Sequence, residues 1–407
     1  MLHDFRICDA ILASKSRHYF YTVKQSARLR KHQLAGVPFN GIGMKIDGKA
    51  YRTIWLDDDG CSVNVIDQTR LPHSLELRTL RTLEDAIDAI RSMVVRGAPL
   101  VGAAAAYGLA LAVAKDPSDA GIASASLRLS NTRPTAVNLG WALQRLSLDL
   151  LASPPTSRLA LAYRLAGDLC DEDVRMNEAI GLAGAKIITD VWHRSGRQKP
   201  VSILTHCNAG WLATVDWGTA LAPIYRAFDE GVPIHVFVDE TRPRNQGASL
   251  TAWELGAHGV PYTLIVDNAG GHLMQRGEVG LCIVGTDRVT ADASVCNKIG
   301  TYLKALAAKD NGVPFYVALP SPTMDWNTPT GDMVPIEDRG AREVTHISGL
   351  AASGQVLEVR LAPPDAAACN PGFDVTPARL ITGFLTDRGV AAATPQALTA
   401  LFGGTDK

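Results

Sequence analysis

The pattern of apolar and polar positions changes character twice along the chain. From about residue 44 to 80, short runs typical of β-strands, such as YRTIWL and SVNVI, alternate with turn residues. From Thr82 the spacing becomes helical, with Thr82 placed to cap a helix and Asp85 three residues into it. Further helices are predicted after Pro99 and over roughly 134–153 and 157–194.

Beyond residue 196, short apolar runs recur without polar alternation, and helix-length segments separate most of them. The runs are VSILTH (201–206), IHVFV (234–238), YTLIV (262–266), LCIVG (281–285) and PFYVAL (314–319). Such runs are typical of parallel strands that are buried on both faces. The predicted fold class is therefore α/β, with a mainly helical N-terminal domain that holds a small antiparallel sheet and a Rossmann-like parallel-sheet C-terminal domain.

The segment SGRQKP marks the predicted boundary between the two domains. The predicted division is a basic extension (1–43), an N-terminal domain (44–195), a catalytic α/β domain (196–395) and a C-terminal tail (396–407). The extension is rich in Lys and Arg and has no clear amphipathic period. We interpret it as dispensable, with Met44 as an alternative start of the natural chain; a basic targeting arm is the competing interpretation.

Composition narrows the class of protein. Hydrophobic residues make up 46% and charged residues 20% of the 407 residues, and the net charge is −1, so neither nucleic acid nor a membrane is expected as a partner. The seven cysteines are scattered without a CxxC pair, which is typical of the reducing cytoplasm. The uncharged run 97–114 approaches the length of a membrane span, but its alanines and glycines indicate a buried, closely packed helix.

Polar residues follow the predicted strands at the point where each one ends. Cys207 follows the first strand, Asp239 the second, Asp267 the third and Asp287 the fourth. In open α/β sheets, ligands bind outside the carboxyl ends of the strands. The sequence therefore predicts a small-molecule site at this edge.

Three further segments suit an anionic ligand. Arg96 and Gly97 in RGAP, Arg133 in NTRPTAVN, and Asn297 and Lys298 in CNKIGT all lie at or beside predicted helix starts. Free N–H groups and the helix dipole favour phosphate at such positions. Each of these residues taken alone can equally be a polar or charged group on the solvated surface. Because such residues recur at three predicted helix starts, the sequence favours a phosphate-binding site.

Cys207 and Asp287 are the candidates for chemistry. Cys207 can pack, bind a metal or react; a helix N-terminus close after it is expected to favour the thiolate. Asp287 can pair with Arg288 or, in a water-poor pocket, stay protonated and act as a general acid. No metal is predicted, because His206 and Cys207 point to opposite faces of a strand and no other ligands assemble nearby. No GxGxxG motif follows a strand, which weakens the case for a dinucleotide-dependent dehydrogenase.

A set of motifs occurs in the order found in one known family. The motifs are RGAPLVG, RPTAVNL, THCNAGWLATVDWGTAL, VDETRPRNQGASLTAWEL, DNAGG, VGTDRV, NKIGTY, PIEDR and NPGFDVTP. Over about residues 44–395 the chain resembles methylthioribose-1-phosphate isomerases, which are related to the regulatory subunits of a translation-initiation guanine-nucleotide exchange factor. The resemblance implies a two-domain protein, usually a homodimer, that acts without a cofactor on a small phosphorylated sugar in methionine salvage.

The resemblance also implies roles for individual residues. It makes Asp287 the proton donor and Cys207 the second catalytic residue. The substrate-binding positions that it implies are Arg96, Gly97, Ala98, Arg133, Gln246, Asn297 and Lys298.

Several residues depart from the family pattern close to these positions. Trp211 stands where the family often has a small residue, Cys296 replaces an alanine beside Asn297, and Asn245 replaces an apolar residue before Gln246. We expect Trp211 to reshape the pocket near Cys207. These departures leave a sister isomerase of 5-deoxyribose 1-phosphate or ribose 1,5-bisphosphate as an alternative. A non-catalytic regulatory subunit on the same fold is a separate alternative, against which the presence of both Cys207 and Asp287 counts.

Overall fold

The computed structural model describes residues 45–46 and 49–403. Its first elements are the paired strands β1 (Lys45–Ile46) and β2 (Lys49–Ala50). The predicted basic extension and the question of the natural start at Met44 lie outside the described residues.

A small antiparallel sheet opens the N-terminal half, as predicted. Its strands are β3 (Ile54–Leu56), β4 (Val63–Ile66) and β5 (Leu77–Leu80), in that order. The first helix, α1 (Leu83–Arg91), begins at the predicted cap: the Thr82 hydroxyl accepts the N–H of Asp85 at 3.1 Å, and the Asp85 carboxylate accepts the N–H of Thr82 at 3.0 Å. This reciprocal pair satisfies two N–H groups that a helix start leaves free.

The alanine-rich helix α2 (Ala98–Lys115) is the centre of the helical layer. The helices that follow are α3 (Asp119–Ser130), α4 (Val137–Leu151) and α5 (Arg158–Arg194), and α2 packs against all three and against α1. Among the described helices α2 alone is long and apolar enough to cross a membrane, and 78% of it is buried inside the protein. Gly102 shows how close the packing is, since a Cβ there would lie 3.0 Å from the carbonyl oxygen of Asn138 on α4.

Strands and helices alternate from residue 201 onward. In chain order they are β6 (Val201–Thr205), α6 (Ala222–Asp229), β7 (Ile234–Asp239), α7 (Ala252–His258), β8 (Tyr262–Ile265), α8 (Ala269–Gln275), β9 (Leu281–Val284), β10 (Arg288–Thr290), β11 (Val295–Lys298), α9 (Thr301–Asp310), β12 (Phe315–Leu319), β13 (Met324–Asp325), α10 (Ala341–Thr345), β14 (His346–Leu350), β15 (Val356–Arg360), β16 (Phe373–Thr376), β17 (Gly383–Thr386), β18 (Gly389–Ala392) and α11 (Pro395–Phe402).

The main sheet has the strand order β18-β17-β12-β9-β6-β7-β8. All neighbours in it are parallel except β17 and β18. The five apolar runs of the sequence form five of its strands, and every residue of β9 is buried. The predicted α/β fold class is confirmed.

The order of the strands reverses between β6 and β9. The chain runs from β6 outwards through β7 to β8 and then returns to β9 on the other side of β6. Loops that leave two neighbouring strands in opposite directions open a crevice at their carboxyl ends, and ligands of open α/β sheets bind in that crevice. Cys207 follows β6 and Asp287 follows β9, so the two candidates for chemistry flank this point.

A second sheet continues directly from β9, with the order β13-β10-β11-β16. The sequence placed Asn297 and Lys298 beside a helix; they lie in β11, and α9 begins only at Thr301. The predicted division into domains stays a prediction. The described residues belong to one compact unit, and α11, which extends into the predicted tail, packs against β18.

Candidate active site

Cys207 sits in a constrained loop directly after β6. Its φ is +64°, a left-handed conformation that costs a non-glycine residue free energy and is common at functional sites. Its N–H donates to the Thr241 hydroxyl at 2.9 Å, and its carbonyl accepts from the Thr251 hydroxyl at 2.7 Å. These two hydroxyl groups hold the strained residue in place.

The Cys207 thiol is protonated at neutral pH in the free protein. Burial raises its pKa; Arg96 and Lys298 oppose that effect, and Asp287 adds to it. The residues after Cys207 form a short 3₁₀ turn (Trp211–Ala213) rather than the start of an α-helix. The expectation that a nearby helix N-terminus favours the thiolate is therefore wrong, because the chain turns back instead of continuing as a helix.

Asp287 lies in the link between β9 and β10 and is half-buried. Its backbone N–H donates to the carbonyl of Cys296 at 3.0 Å, which fixes the link against β11. Arg288 pairs with Asp325 at 3.0 Å and donates to the carbonyl of Thr135 at 2.7 Å. The alternative of an ion pair between Asp287 and Arg288 is therefore wrong.

Asp287 lines a cleft that we call the Arg133 cleft. Its wall includes Gly97, Ala98, Arg133, Asp287, Cys296 and Phe373. Gly97 precedes α2 with φ +93°, and a Cβ there would lie 2.4 Å from the carbonyl oxygen of Ala213. A glycine is thus required both by the backbone conformation and by the close approach, and it lets the N-terminus of α2 reach the cleft.

Positive charge gathers around this cleft. Burial lowers the pKa of Arg133, with Asp287 raising it and Arg339 lowering it further. Lys298 is buried behind the cleft wall, where its Nζ donates to the carbonyl of Gly372 at 2.9 Å and lies 4.6 Å from the centre of the Phe373 ring. Burial lowers the pKa of Lys298, and Cys207 and Asp287 raise it. Asp287 raises the pKa of both Arg133 and Lys298, so these groups belong to one site.

We call a second cleft the Gln246 cleft. Its wall includes Leu71, Met93, Arg96, Gln246 and Leu250. Gln246 precedes a π-helical turn (Gly247–Thr251), a feature that often marks functional sites. Its Oε1 is buried and has no hydrogen-bond partner within residues 49–403, and neither has Nε of Arg133. Buried polar atoms of this kind usually have partners, so both atoms are suited to contacting a ligand.

A buried chain of hydrogen bonds orients Arg96. Its guanidinium donates to the side-chain oxygen of Asn208 and, at 2.7 Å, to the carbonyl of the same residue. The Asn208 amide in turn donates to Glu254, which also accepts from the Tyr225 hydroxyl at 3.0 Å. Glu254 is 0% exposed, and burial raises its pKa to about 7. Sequence inspection missed this support, because Glu254 lies in the middle of an ordinary helical pattern.

The pH dependence of stability is expected to report on Glu254. The pKa of Glu254 in the folded protein lies above the ordinary value of 4.5. Its contribution to the stability of the fold is therefore fully present below pH 4.5 and is lost as the pH rises through about 7. Between about pH 5 and about pH 8 we expect the free energy of unfolding of the wild type to fall by on the order of 3 kcal/mol relative to that of Glu254→Gln, because the amide keeps both hydrogen bonds and does not ionise. Urea unfolding at both pH values measures this. Exposed Glu230→Gln is the control, and an equal pH dependence of wild type and Glu254→Gln would contradict the expectation.

The structure groups most of the residues that the sequence singled out. Gly97, Ala98, Arg133 and Asp287 line one cleft, and Arg96 and Gln246 line the other. Cys207 and Lys298 line neither cleft, but each is buried within electrostatic reach of the other and of Asp287, and Cys207 also of Arg96. Among the described residues, Asn297 lines neither cleft, and its amide donates to the Thr301 hydroxyl at 2.9 Å.

Trp211 does not shape either cleft. Its indole is 0% exposed, donates to the carbonyl of Tyr51 at 3.0 Å and stacks on Trp253 with the ring centres 6.4 Å apart. The expectation that it reshapes the pocket is wrong, since the chain turns the side chain into the hydrophobic core. Cys296, by contrast, does line the Arg133 cleft.

Arg339 and Glu337 were missed as candidates. Glu337 lies 3.0 Å from Arg339 and 3.9 Å from Arg133, so it links two guanidinium groups at the cleft. Arg339 also donates to the sulfur of Met93 at 3.4 Å. The motif PIEDR contains both residues, and their charge was the only signal available in it.

Comparison with known proteins places the chain in a family. The model of the Initiation factor 2 subunit family matches residues 94–393. The chain belongs to this family. Within it, the chain is 59% identical over 360 residues to methylthioribose-1-phosphate isomerase of Sinorhizobium medicae, covering 88% of this chain and 99% of that protein. The predicted isomerase class of enzyme is confirmed by relatives of this kind.

Solved structures of the family share the fold. The crystal structure of 5-methylthioribose 1-phosphate isomerase from Pyrococcus horikoshii has a TM-score of 0.74 and 38% identity, over 88% of this chain and 97% of that one. The structure described as translation initiation factor eIF-2B, subunit delta, from A. fulgidus has a TM-score of 0.71 and 38% identity, over 86% and 99%. The family thus includes proteins named as isomerases and proteins named as translation factors.

Proposed function

We propose that the protein converts 5-methylthio-ribose 1-phosphate into 5-methylthio-ribulose 1-phosphate in methionine salvage, without a cofactor. The observation that carries the proposal is the meeting of Cys207, Asp287 and several cations at the point where the strand order of the sheet reverses. The name of the near-full-length relatives supports the same substrate.

The phosphate group fits the Arg133 cleft. Arg133 and the N-terminus of α2, with Gly97 and Ala98, present a guanidinium and free N–H groups to it. Lys298 adds a buried positive charge behind the wall. Arg96 and Gln246 then hold the sugar, and the apolar side chains of the Gln246 cleft receive the methylthio group. Asn297 lines neither cleft, so its part in binding rests on the family resemblance alone.

Asp287 acts as the general acid that opens the ring. Most aldose isomerases open the sugar through a free anomeric hydroxyl group, and the phosphate blocks that group here. A protonated Asp287 donates its proton to the ring oxygen as the bond between C1 and that oxygen breaks. Its half-buried position on the cleft wall limits the access of water that would compete for the proton.

Cys207 assists the transfer of hydrogen from C2 to C1. As the hydrogen moves, the C2 hydroxyl becomes a carbonyl and its proton returns to the Asp287 carboxylate, so atoms and charge balance. Cys207 enters this step as a thiol, because burial raises its pKa. Its loop is held by backbone hydrogen bonds to Thr241 and Thr251, which supports a fixed position of the sulfur.

The assembly and location of the enzyme are proposals as well. We propose a homodimer in the cytoplasm that acts on a small phosphorylated sugar, with neither nucleic acid nor a membrane as a partner. The near-neutral net charge of −1 supports the absence of nucleic-acid and membrane partners, and the scattered cysteines support the cytoplasmic location. The homodimer rests on the family resemblance.

Turnover of three sugars tests the proposal. The purified protein is expected to show the highest kcat/KM with 5-methylthio-ribose 1-phosphate, because Leu71, Met93 and Leu250 give the Gln246 cleft an apolar part. A higher kcat/KM with 5-deoxyribose 1-phosphate or ribose 1,5-bisphosphate would contradict the proposed substrate but would agree with the proposed class of reaction. Absence of turnover with all three, together with tight binding to a protein partner, would favour a regulatory subunit.

A further inference from the structure

His206 connects two segments of the proposed site. It is buried at the end of β6, directly before Cys207. Its Nδ1 lies 3.1 Å from Oδ2 of Asp239, and its Nε2 lies 2.9 Å from the carbonyl oxygen of Ile299. Ile299 directly follows Lys298 of β11. One imidazole ring therefore joins the segment that carries Cys207 to the segment that carries Lys298.

Both ring nitrogens of His206 face oxygen atoms that only accept hydrogen bonds. A carboxylate and a backbone carbonyl have no hydrogen to donate, so each contact requires an N–H on the ring. A neutral imidazole has one N–H and can serve only one of the two contacts, whereas the imidazolium has two. Only the imidazolium therefore satisfies both contacts, and the Asp239 carboxylate lies beside it as the counter-charge.

Charged groups from several other elements surround this pair. Nζ of Lys304 on α9 lies 2.9 Å from the same Asp239 oxygen. Asp374 on β16 accepts the N–H groups of Gly300 and Tyr302 at 2.7 and 3.1 Å. Asp267, after β8, accepts two backbone N–H groups at 2.8 Å each. The pair is thus held in a network of alternating charge.

The groups around His206 and Asp239 form a network of charged protein groups rather than a metal site. Ligand atoms of His206, Asp239 and Asp267 lie within 4.8 Å of one another, a spacing that suits a metal ion. The ammonium group of Lys304, however, already supplies the cation beside Asp239, and the Asp267 oxygens are engaged by backbone N–H groups. Both ring nitrogens of His206 accordingly have partners that are protein groups.

The turn after β11 is built around the ring. Gly300 has φ +102°, and a Cβ there would lie 3.1 Å from Cε1 of His206. The turn therefore packs directly on the imidazole, and a displaced ring would move the end of the strand that carries Lys298.

We propose that charged His206 is a positioning residue for the reaction and holds the Cys207 and Lys298 segments at a fixed separation. This inference rests on the proposed function. Loss of either hydrogen bond lets the segments shift, and a misplacement of about 1 Å costs on the order of a hundredfold in rate.

Nitrogen-15 NMR of the unliganded protein tests the protonation of His206 without any substrate. We expect both ring nitrogens to carry hydrogen at neutral pH. His235 provides the contrast within the same spectrum, because burial lowers its pKa and keeps it neutral. The His206 signals are assigned by their loss in His206→Gln. A neutral ring with one bare nitrogen would overturn the proposal, even if the enzyme turns over its substrate.

Kinetics then test the positioning role. His206→Asn keeps a polar group near Asp239 but lacks the bond to Ile299, and we expect kcat to fall about 10- to 100-fold. His206→Gln reaches towards Ile299 and should recover part of that loss. His258→Asn removes a similar pair with Asp229 at 2.9 Å, outside both clefts, and should leave kcat unchanged. A wild-type kcat and KM in His206→Asn would overturn the proposal, whereas no turnover by the wild type would overturn the proposed function instead.

Discussion

Replacing Asp287 by Asn is expected to lower kcat by about a thousandfold or more and to change KM little. The amide keeps the size and the polarity of the carboxyl group but has no acidic proton for the ring oxygen. Asp287 lines the Arg133 cleft, and its neighbour Arg288 is engaged elsewhere, so the substitution leaves the local ion pairs intact. Steady-state kinetics with 5-methylthio-ribose 1-phosphate measure the effect.

Asp332→Asn is the matched control for this prediction. Asp332 is exposed, in the segment that leads to the cleft residues Val334 and Pro335. The control removes one negative charge near the site without touching the proposed acid. Loss of activity of similar size in both variants would attribute the effect to charge alone and would contradict the role of Asp287.

Cys207→Ala and Cys207→Ser are expected to lower kcat by about a hundredfold or more. Both variants keep the backbone hydrogen bonds to Thr241 and Thr251, so the loop should retain its shape. What they remove is the sulfur that lies within electrostatic reach of Asp287, Arg96 and Lys298. Kinetics and a melting curve for each variant separate a loss of chemistry from a loss of fold.

Cys282→Ala is the control for the cysteine variants. Cys282 is fully buried in β9, in the same sheet, and its side chain packs in the core. Its truncation should cost stability through a small cavity and leave kcat near wild type. A Cys207→Ala variant that keeps wild-type kcat would show that Cys207, too, only packs.

Turnover in heavy water tests how hydrogen moves from C2 to C1 beside Cys207. Because the buried thiol is protonated at neutral pH, a direct shift of hydrogen from C2 to C1 is favoured over removal of a proton by a thiolate. We therefore expect little deuterium at C1 of product formed in heavy water. Full incorporation would show that the hydrogen passes through an exchanging group.

The sheet could be predicted because its inner strands, such as β6, β9 and β12, are buried on both faces, although the edge strand β8 is largely exposed. Runs such as LCIV in β9 have no polar position, and this pattern leaves few alternatives. The carboxyl ends of such strands share one edge, so Cys207 and Asp287 could be placed together without coordinates. The reversal of strand order between β6 and β9 could not be predicted, since it depends on pairing between distant segments.

The supporting contacts could not be found from the sequence. Arg96 and Asn208 are separated by 112 residues, and Asn208 and Glu254 by 46. Nothing local distinguishes such a glutamate from one on a solvated helix face. The expectation for Trp211 was wrong because closeness in sequence to Cys207 does not determine the direction of the indole. The indole lies in the core.

Phosphorus NMR of the reaction tests the central claim most directly. The purified protein is mixed with 5-methylthio-ribose 1-phosphate, and the signal of the anomeric phosphate is followed beside the same mixture with Asp287→Asn. The account predicts that the wild type replaces this signal with that of a primary phosphate ester, while the variant leaves it almost unchanged. An unchanged signal with the wild type, or equal rates for both proteins, would contradict it.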